Sequence, residues 1–232
     1  MATPQKILIV TLALFASSPA LAQTTAGSVT GRVSYAGPAP KAATIKATTD
    51  VEVCGKGSIP DESLIVGADK GIKNAVVAIA GLPGGKQSPM KATLDQVGCV
   101  YVPHVQAVTV GSELLIRSSD STLHNTHAFQ GGNTRFNIAL PLKGSKSKQK
   151  LPNPGHVSFK CDAGHSWMDA HAWVFDHPYF AVTDASGDFA IANVPEGTHK
   201  VTVWHEKLGE LSATVEVKAD QKATLNLTMS SK

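Results

Sequence analysis

The sequence has few of the features that mark nucleic-acid-binding proteins, membrane proteins or common hydrolases. The formal net charge is only +3, and no stretch interleaves basic with aromatic residues, so a nucleic-acid partner is not indicated. Beyond a short N-terminal run, no apolar segment is long enough to span a bilayer. Gly-x-Ser-x-Gly, His-Glu-x-x-His and phosphate-loop motifs are all missing from the sequence, and we therefore expect a protein that is not an enzyme.

Residues 1–22 have the pattern of a cleaved signal peptide. Lys6 precedes an apolar run over 7–15, and the small residues Ala20-Leu21-Ala22 form a cleavage site before Gln23. The alternative, an anchoring helix, is weaker because the run is short and no other apolar run follows it. We expect export to a bacterial periplasm, with no membrane span in the mature chain.

Cysteine is scarce, and its number is odd. The three residues are Cys54, Cys99 and Cys161, so in an oxidising compartment two can pair and one is left over. Cys54 and Cys99 have no neighbours that could be metal ligands, and we expect a disulfide bond between them. Cys161 would then stay free for a metal, the alternative being a buried small apolar residue.

Short alternating apolar patterns, separated by turn residues, recur through the mature chain. Residues 27–35 alternate with strand period, residues 74–80 resemble a buried strand, and after Phe180 turn signals recur at intervals of roughly ten residues. No long helical period is present. The expected fold class is all-β. The lysine-rich stretch 143–150 predicts a solvated loop, with partner docking as the alternative.

The strongest chemical signal lies in residues 160–168. Cys161, His165 and Met168 place a thiolate, an imidazole and a thioether within eight residues. Thiolate and thioether are soft ligands, and a blue-copper site uses one Cys, two His and a weak axial Met. The expected cofactor is therefore copper, and a second histidine is needed from elsewhere.

Two stretches together resemble the cupredoxins, the plastocyanin-type blue copper proteins. The first runs from Tyr101-Val102-Pro103 through Leu114-Leu115-Ile116 to His124-Asn125, and the second is 155–168. The resemblance implies that His124, Cys161 and His165 bind copper, with Met168 as the axial ligand. It also implies that Asn125 braces the loop and that Trp167 shields the metal, an ordinary core tryptophan being the alternative.

The ligand loop differs in spacing from that of plastocyanin. Three residues separate Cys161 from His165 and two separate His165 from Met168, where plastocyanin-like loops usually have two and four. The Cys-x3-His-Ser-Trp-Met order resembles the dinuclear copper loop of cytochrome oxidase subunit II. Because Val157 stands where that loop has its second cysteine, a single copper ion is expected.

The flanking segments resemble the carboxypeptidase regulatory-like, or transthyretin-like, β-sandwich. The residues that carry this resemblance are Gly31-Arg32-Val33, 74–79, 183–189 and 194–201. The implied architecture is a cupredoxin-type Greek-key β-sandwich inserted into a small transthyretin-like β-sandwich. The expected boundaries are 1–22 for the signal peptide, 92–176 for the cupredoxin domain, and 27–90 with 177–230 for the regulatory-like sandwich.

Five further histidines have less specific expectations. His127 lies three residues after His124 and so faces the other side of a strand, which leaves it a minor alternative as ligand. His104 is expected to be structural and His205 to lie at a domain interface. His171 and His177 are expected at the surface, with a second weak metal site as the alternative.

Three functions are compatible with these residues. The leading hypothesis is a periplasmic mononuclear copper protein that carries one electron between redox partner proteins. The alternatives are a copper-handling carrier or storage protein and a non-catalytic module that binds a cell-envelope partner. A cupredoxin-like domain that has lost its metal would be compatible with the last of these functions, the module that binds a cell-envelope partner.

Overall fold

The structure is a computed structural model that describes residues 25–41, 43–82 and 87–231, so the predicted signal peptide lies outside the described residues. In chain order the elements are β1 (Ala26–Tyr35), β2 (Thr44–Ile45), α1 (Val51–Cys54), β3 (Ile59–Pro60), β4 (Val76–Ala80), β5 (Lys91–Gln96), β6 (Tyr101–Val102), β7 (Val105–Thr109), β8 (Ser112–Ser118), β9 (His124–Gln130), β10 (Asn133–Leu140), β11 (Lys146–Leu151), β12 (Gly155–Lys160), β13 (Asp169–Phe175), β14 (Phe180–Val182), β15 (Asp188–Pro195), β16 (Gly197–His205), β17 (Gly209–Val217), β18 (Lys222–Thr224) and β19 (Leu227–Met229).

The middle of the chain forms one β-sandwich, which we call the central sandwich. One of its sheets has the order β10-β9-β12-β13-β7 and the other β11-β8-β5-β6. Leu94, Leu114 and Ile116 from one sheet pack with Phe159 and Ala172 from the other. Each of these side chains is fully buried, and full burial of a Leu, Ile or Phe stabilises the fold by about 1.5–3 kcal/mol.

The two ends of the chain together form a second, flanking sandwich. Its sheets are β15-β1-β18, with β19 also paired to β1, and β14-β4-β16-β17. Val29 and Val33 of β1 pack against Val77, Val201 and Val203 in a separate core. The all-β fold class with two sandwiches is therefore confirmed.

The segment between β1 and β4 contributes to both parts of the molecule. Ile45, Ala47, Cys54 and Ile59 belong to the core of the central sandwich, although they lie within the range 27–90 that the sequence assigns to the flanking one. The division into 92–176 and 27–90 with 177–230 stays a prediction.

Two histidines that were expected at the surface, His171 and His177, are covered instead, so both expectations are wrong. His171 lies on strand β13, and both faces of that strand are covered. Its residues 170, 172 and 174 point into the central core, while Asp169, His171, Trp173 and Phe175 alternate with them. The ring of Trp204, from the flanking sandwich, lies 5.2 Å from that of His171 and 5.8 Å from that of Trp173. Because the flanking sandwich covers this face, the His171 side chain is only 12% exposed. His177, two residues past the end of β13, is buried next to the rings of Phe175 and Phe180.

The lysine-rich stretch is a strand, and the expectation of a loop over 143–150 is wrong for most of it. Strand β11 pairs antiparallel with β8, from Lys146 opposite Arg117 to Leu151 opposite Ser112. Its even-numbered lysines are exposed while Ser147 and Gln149 are half-buried, so the lysines occupy the solvent face of an alternating strand.

Within the described part of the chain, no helix has the length and hydropathy needed to cross a membrane.

Candidate metal centre

Strand pairing explains how His124 meets Cys161 across 37 positions of sequence. Strands β9 and β12 are antiparallel, with Lys160 opposite His127. The N-terminal end of β9 and the C-terminal end of β12 therefore lie at the same edge of the sheet. His124 is the first residue of β9, and Cys161 directly follows β12, so both side chains reach one end of the central sandwich.

The loop between β12 and β13 brings in the remaining predicted ligands. Gly164 turns this loop with φ of +91°, a conformation that favours glycine, and an added Cβ would approach the side chain of Thr49. The amide of Met168 donates to the carbonyl of His165 at 2.9 Å, and the amide of Cys161 donates to the carbonyl of Met168 at 3.2 Å. Met168 is buried, and these bonds hold it in the same short loop as Cys161 and His165.

Three predicted ligand atoms converge. The Nδ1 atoms of His124 and His165 are 3.0 Å apart, and the Cys161 Sγ lies 4.0 Å from the first and 3.6 Å from the second. A first-row metal with bonds of about 2.0 Å to nitrogen and 2.3 Å to sulfur needs separations of about 3.3 to 3.6 Å in a tetrahedral arrangement. Each observed distance is within about half an ångström of that range, so the residues fit a copper-sized ion.

Each imidazole has a carboxylate on its other nitrogen. The His124 Nε2 lies 3.0 Å from Asp120 Oδ2, and the His165 Nε2 lies 2.9 Å from Asp50 Oδ2. A histidine that donates its Nε2 proton to a carboxylate presents Nδ1 as the free lone pair. Both rings are therefore oriented with their metal-binding nitrogens toward the Cys161 sulfur.

The electrostatic surroundings favour the thiolate form of Cys161. Burial opposes ionisation, but contact with His124 and the backbone amides of Asn125 and Ala163 lower the pKa of the Cys161 thiol overall. Burial also lowers the pKa of His124, yet the Asp120 hydrogen bond and the nearby sulfur outweigh it and raise that pKa to about 9. For His165, burial and the nearby His124 lower the pKa. The thiolate, not the thiol, is the metal-binding form.

A polar network fixes the edge of the ligand loop. The Asn125 Oδ1 accepts a hydrogen bond from the Asp162 amide, and its Nδ2 donates to Asn137 at 2.7 Å. Asn125 thus braces the loop as expected. The His127 Nδ1 lies 2.7 Å from Asp162 Oδ2, on the side of β9 away from Cys161. His127 therefore supports the loop from outside and is not among the converging donors.

Cys54 and Cys99 form the expected disulfide bond, and it lies beside this site. The helix α1 that carries Cys54 begins directly after Asp50, the carboxylate on His165. Cys99 donates its amide to Asp120 at 2.8 Å and accepts the Trp167 indole hydrogen bond at its carbonyl at 2.9 Å. The free cysteine is Cys161, which is buried.

Sequence reasoning missed the two carboxylates. Asp120 lies four residues before His124, a short spacing that could have identified it. Asp50 is 115 positions from His165, and its only signal was its closeness to Cys54, a predicted disulfide partner.

Comparison with known proteins identifies the C-terminal part of the chain. Residues 171–230 match the family model of the carboxypeptidase regulatory-like domain. The matched range begins inside β13, whose strand partners belong to the central sandwich. No curated protein matches the chain.

Solved structures that are similar to part of this chain include a nitrite reductase, a purple cupredoxin and an auracyanin. A copper-containing nitrite reductase from Thermus scotoductus is 18% identical with a TM-score of 0.34, over 42% of this chain and 25% of its own, so the chain spans only a quarter of its length. A purple cupredoxin from Nitrosopumilus maritimus is 20% identical with a TM-score of 0.32, over 36% of this chain and 99% of its own. A reduced auracyanin from Roseiflexus castenholzii is 14% identical with a TM-score of 0.34, over 38% and 99%. The resemblance to the regulatory-like domain that was noted in the sequence is found again by the family model over 171–230.

The flanking sandwich places Glu206 against the central sandwich. Glu206 follows β16 and contacts the Nε2 of His104, while its other oxygen lies 3.2 Å from the Nε2 of His171. The preceding His205 is buried, and its place at a domain interface stays a prediction. His104 is linked to the flanking sandwich by the Glu206 contact.

Proposed function

We propose that the protein is a periplasmic mononuclear copper protein that carries one electron between partner proteins. In this proposal His124, Cys161 and His165 are the strong copper ligands and Met168 is the weak axial ligand. The cupredoxin unit is 92–176, and the regulatory-like sandwich is 27–90 with 177–230. A bound copper ion would supply one-electron redox chemistry, and the chain supplies its position and surroundings.

The observation that carries the proposal is the convergence of three buried donors with fixed orientations. His124 and His165 are 0% exposed and Cys161 is 6% exposed. Asp120 and Asp50 hold the two rings from behind, so the donor positions are set by the protein. Ligands that are held in place move little between oxidation states, which favours electron transfer.

The same burial argues against copper handling as the main role. A carrier that releases its metal needs a ligand that an acceptor protein can reach. Here the three donors are covered, and the Asp50 carboxylate behind His165 is 32% exposed. Retention of the metal is therefore favoured over its transfer.

Exposed apolar side chains next to the site offer a docking surface for a redox partner. Val51, Val97 and Leu123 are 56%, 40% and 48% exposed. Val51 follows Asp50, and Leu123 lies between His124 and Thr122, whose hydroxyl donates to Asp50 at 2.9 Å. Weak redox encounters use small interfaces, which a few apolar side chains can supply.

The export proposal is supported by the disulfide bond and the N-terminal pattern. Disulfides persist in oxidising compartments and are rare in the cytosol. The Cys54–Cys99 bond joins segments 45 positions apart. Detection of mature protein beginning at Gln23 in a periplasmic fraction would test this, and a cytoplasmic, uncleaved chain would contradict it.

Titration of the mature chain with copper(II) tests the metal proposal. We expect one equivalent bound, an intense thiolate-to-copper absorption band, and reversible one-electron cycling. Cys161→Ser should abolish the band, whereas Ser166→Ala, an exposed position in the same loop, should keep it. Binding of copper(I) alone with rapid exchange would favour handling instead, and binding unchanged by Cys161→Ser would exclude the site.

A further inference from the structure

A second cluster of ligand-type side chains lies where the two sandwiches meet. It consists of His104, Asp169, His171 and Glu206, whose donor atoms all lie within 4.8 Å of one another. Glu206 comes from the flanking sandwich, and the other three come from strands or strand ends of the central sandwich. None of these residues belongs to the proposed copper site, and the cluster contains no sulfur ligand.

The strands fix three of the four side chains. Strand β7 runs parallel to β13, with Val105 opposite His171, so His104 lies beside the start of β13. The His171 amide donates to the His104 carbonyl at 2.8 Å. Asp169 and His171 are two residues apart on β13 and therefore share a face. These three groups are positioned by backbone hydrogen bonds and not by flexible loops.

The fourth side chain reaches across the seam between the sandwiches. One Glu206 oxygen contacts the His104 Nε2, and the other lies 3.2 Å from the His171 Nε2. The Asp169 Oδ2 lies 3.8 Å from the same His171 nitrogen. The side chains of His104, His171 and Glu206 are 5%, 12% and 11% exposed, while Asp169 is 41% exposed.

We propose that His104, Asp169, His171 and Glu206 form a second metal site, which binds a divalent cation of the zinc class. Zinc is bound in proteins by histidine nitrogen and by Asp or Glu oxygen, most often with four ligands. Bonds of about 2.0–2.1 Å in a tetrahedron place neighbouring donor atoms about 3.3 Å apart. The 3.2 Å distance between His171 and Glu206 satisfies this, and Asp169 needs a shift of about half an ångström. The closer contact between Glu206 and His104 would have to lengthen around the ion.

The charge balance of the cluster also favours a cation. Two carboxylates and two imidazole nitrogens converge, and the carboxylates of Asp169 and Glu206 bring like charges close together. Glu206 is 11% exposed and Asp169 is 41% exposed, and a dication would neutralise both carboxylates at once. A purely hydrogen-bonded seam is the competing explanation, and the experiment below separates the two.

The surroundings hold His171 in the orientation that the site needs. The His171 Nδ1 lies 3.1 Å from the His156 Nε2, which leaves the His171 Nε2 for the cluster. The rings of His156 and Trp204 pack against His171 at 5.1 Å and 5.2 Å, and they lie 4.9 Å from each other. Metal-binding histidines in proteins almost always have such a partner on the other nitrogen.

A metal at this position would connect the two sandwiches. Ligands from β13 and from the end of β16 would then be joined through one ion. The site is independent of the proposed copper function, because hard and borderline donors without sulfur select a different class of metal.

Zinc binding to a chain without the copper-site donors tests the proposal. In the full-length mature protein with His124→Gln and Cys161→Ser, calorimetric titration with Zn²⁺ should give one equivalent per chain. Adding His171→Gln or Glu206→Gln should weaken that binding at least tenfold. His199→Gln is the matched control, because His199 lies on the same flanking sandwich and bonds the Pro195 carbonyl, away from the cluster.

Two further readouts keep the test decisive. Glu206→Gln keeps the side-chain shape and one acceptor oxygen, so circular dichroism should show that this variant still folds. Co²⁺ bound in place of Zn²⁺ should show nitrogen and oxygen ligation with no thiolate band. The melting temperature of the chain that carries only His124→Gln and Cys161→Ser should rise with added zinc, and that of the chains with His171→Gln or Glu206→Gln in addition should not. The proposal would be overturned if the chain with His124→Gln and Cys161→Ser took up no zinc. It would also be overturned if neither His171→Gln nor Glu206→Gln changed the uptake.

Discussion

Replacing each carboxylate behind the copper-ligand histidines tests how the site is held together. The changes are Asp50→Asn and Asp120→Asn, which remove a charge and nearly preserve volume. Loss of an outer hydrogen-bond partner typically costs 10–100-fold in metal affinity. The structure indicates which substitution lies at each end of that range.

Asp120 should matter more than Asp50. Its Oδ1 accepts from the Gly98 amide at 2.7 Å, and its Oδ2 accepts from Cys99 at 2.8 Å and from His124 at 3.0 Å. An asparagine has one acceptor oxygen, so its NH2 group must face an N–H donor on one side. The side chain is also only 10% exposed, so water cannot compensate. We expect about a hundredfold loss of copper affinity, or about 2.7 kcal/mol.

Asp50 uses a single oxygen for both of its partners. Its Oδ2 accepts from His165 at 2.9 Å and from Thr122 at 2.9 Å, and its side chain is 32% exposed. The amide oxygen of asparagine can accept both bonds, and solvent screens the lost charge. The expected loss is about tenfold, or about 1.4 kcal/mol.

Competition titration against a copper(I) chelator measures both affinities. Asp188→Asn is the control, because Asp188 is half exposed and pairs with Arg32 in the flanking sandwich. The reasoning fails if both substitutions leave the affinity at the control value, or if Asp50→Asn weakens binding more than Asp120→Asn does. Urea unfolding of the apo forms separates lost affinity from lost structure.

Three further predictions concern stability. Phe159→Ala, at a fully buried position of the central core, should lower the free energy of unfolding by about 3–5 kcal/mol in urea titrations, and a loss under 1 kcal/mol would contradict the packing described. Replacing Cys54 and Cys99 by alanine opens a crosslink across 45 positions and should cost about 4 kcal/mol by the same measurement, with Cys161→Ala as a single-cysteine control. Burial lowers the pKa of His177, so below about pH 6.5 the unfolded chain binds a proton that the folded chain does not, and stability falls with falling pH. His177→Gln should make that fall shallower in unfolding curves recorded at several pH values, and an identical slope would show that His177 contributes nothing.

Local sequence patterns were sufficient for several strands, whereas His124 was found only through the resemblance to cupredoxins. The alternation in 27–35 corresponds to β1 and the continuous apolar run in 74–80 to β4, because each pattern reports a buried strand directly. The Cys161 to Met168 loop is recognisable because its ligand types lie close together in sequence. The ligand assignment itself stays a prediction until metal binding is measured.

Features that depend on how distant segments pack could not be predicted in the same way. Asp50 reaches His165 because residues 44–60 cross onto the central sandwich, a path that no local pattern specifies. His171 is covered by Trp204 of the flanking sandwich, a contact that its own neighbours in sequence do not specify. Lys146–Leu151 has the alternation of a strand, but its dense lysines are equally typical of a loop.

The Cys54–Cys99 bond has a consequence for the order in which the protein matures. In the proposed copper protein, a chain that is not yet oxidised would offer the metal three thiols, two of them on segments that are not yet joined. The disulfide bond removes those two thiols and anchors the helix after Asp50 beside the backbone amides that bind Asp120. Under that proposal, oxidation before metal binding would leave Cys161 as the single sulfur for copper.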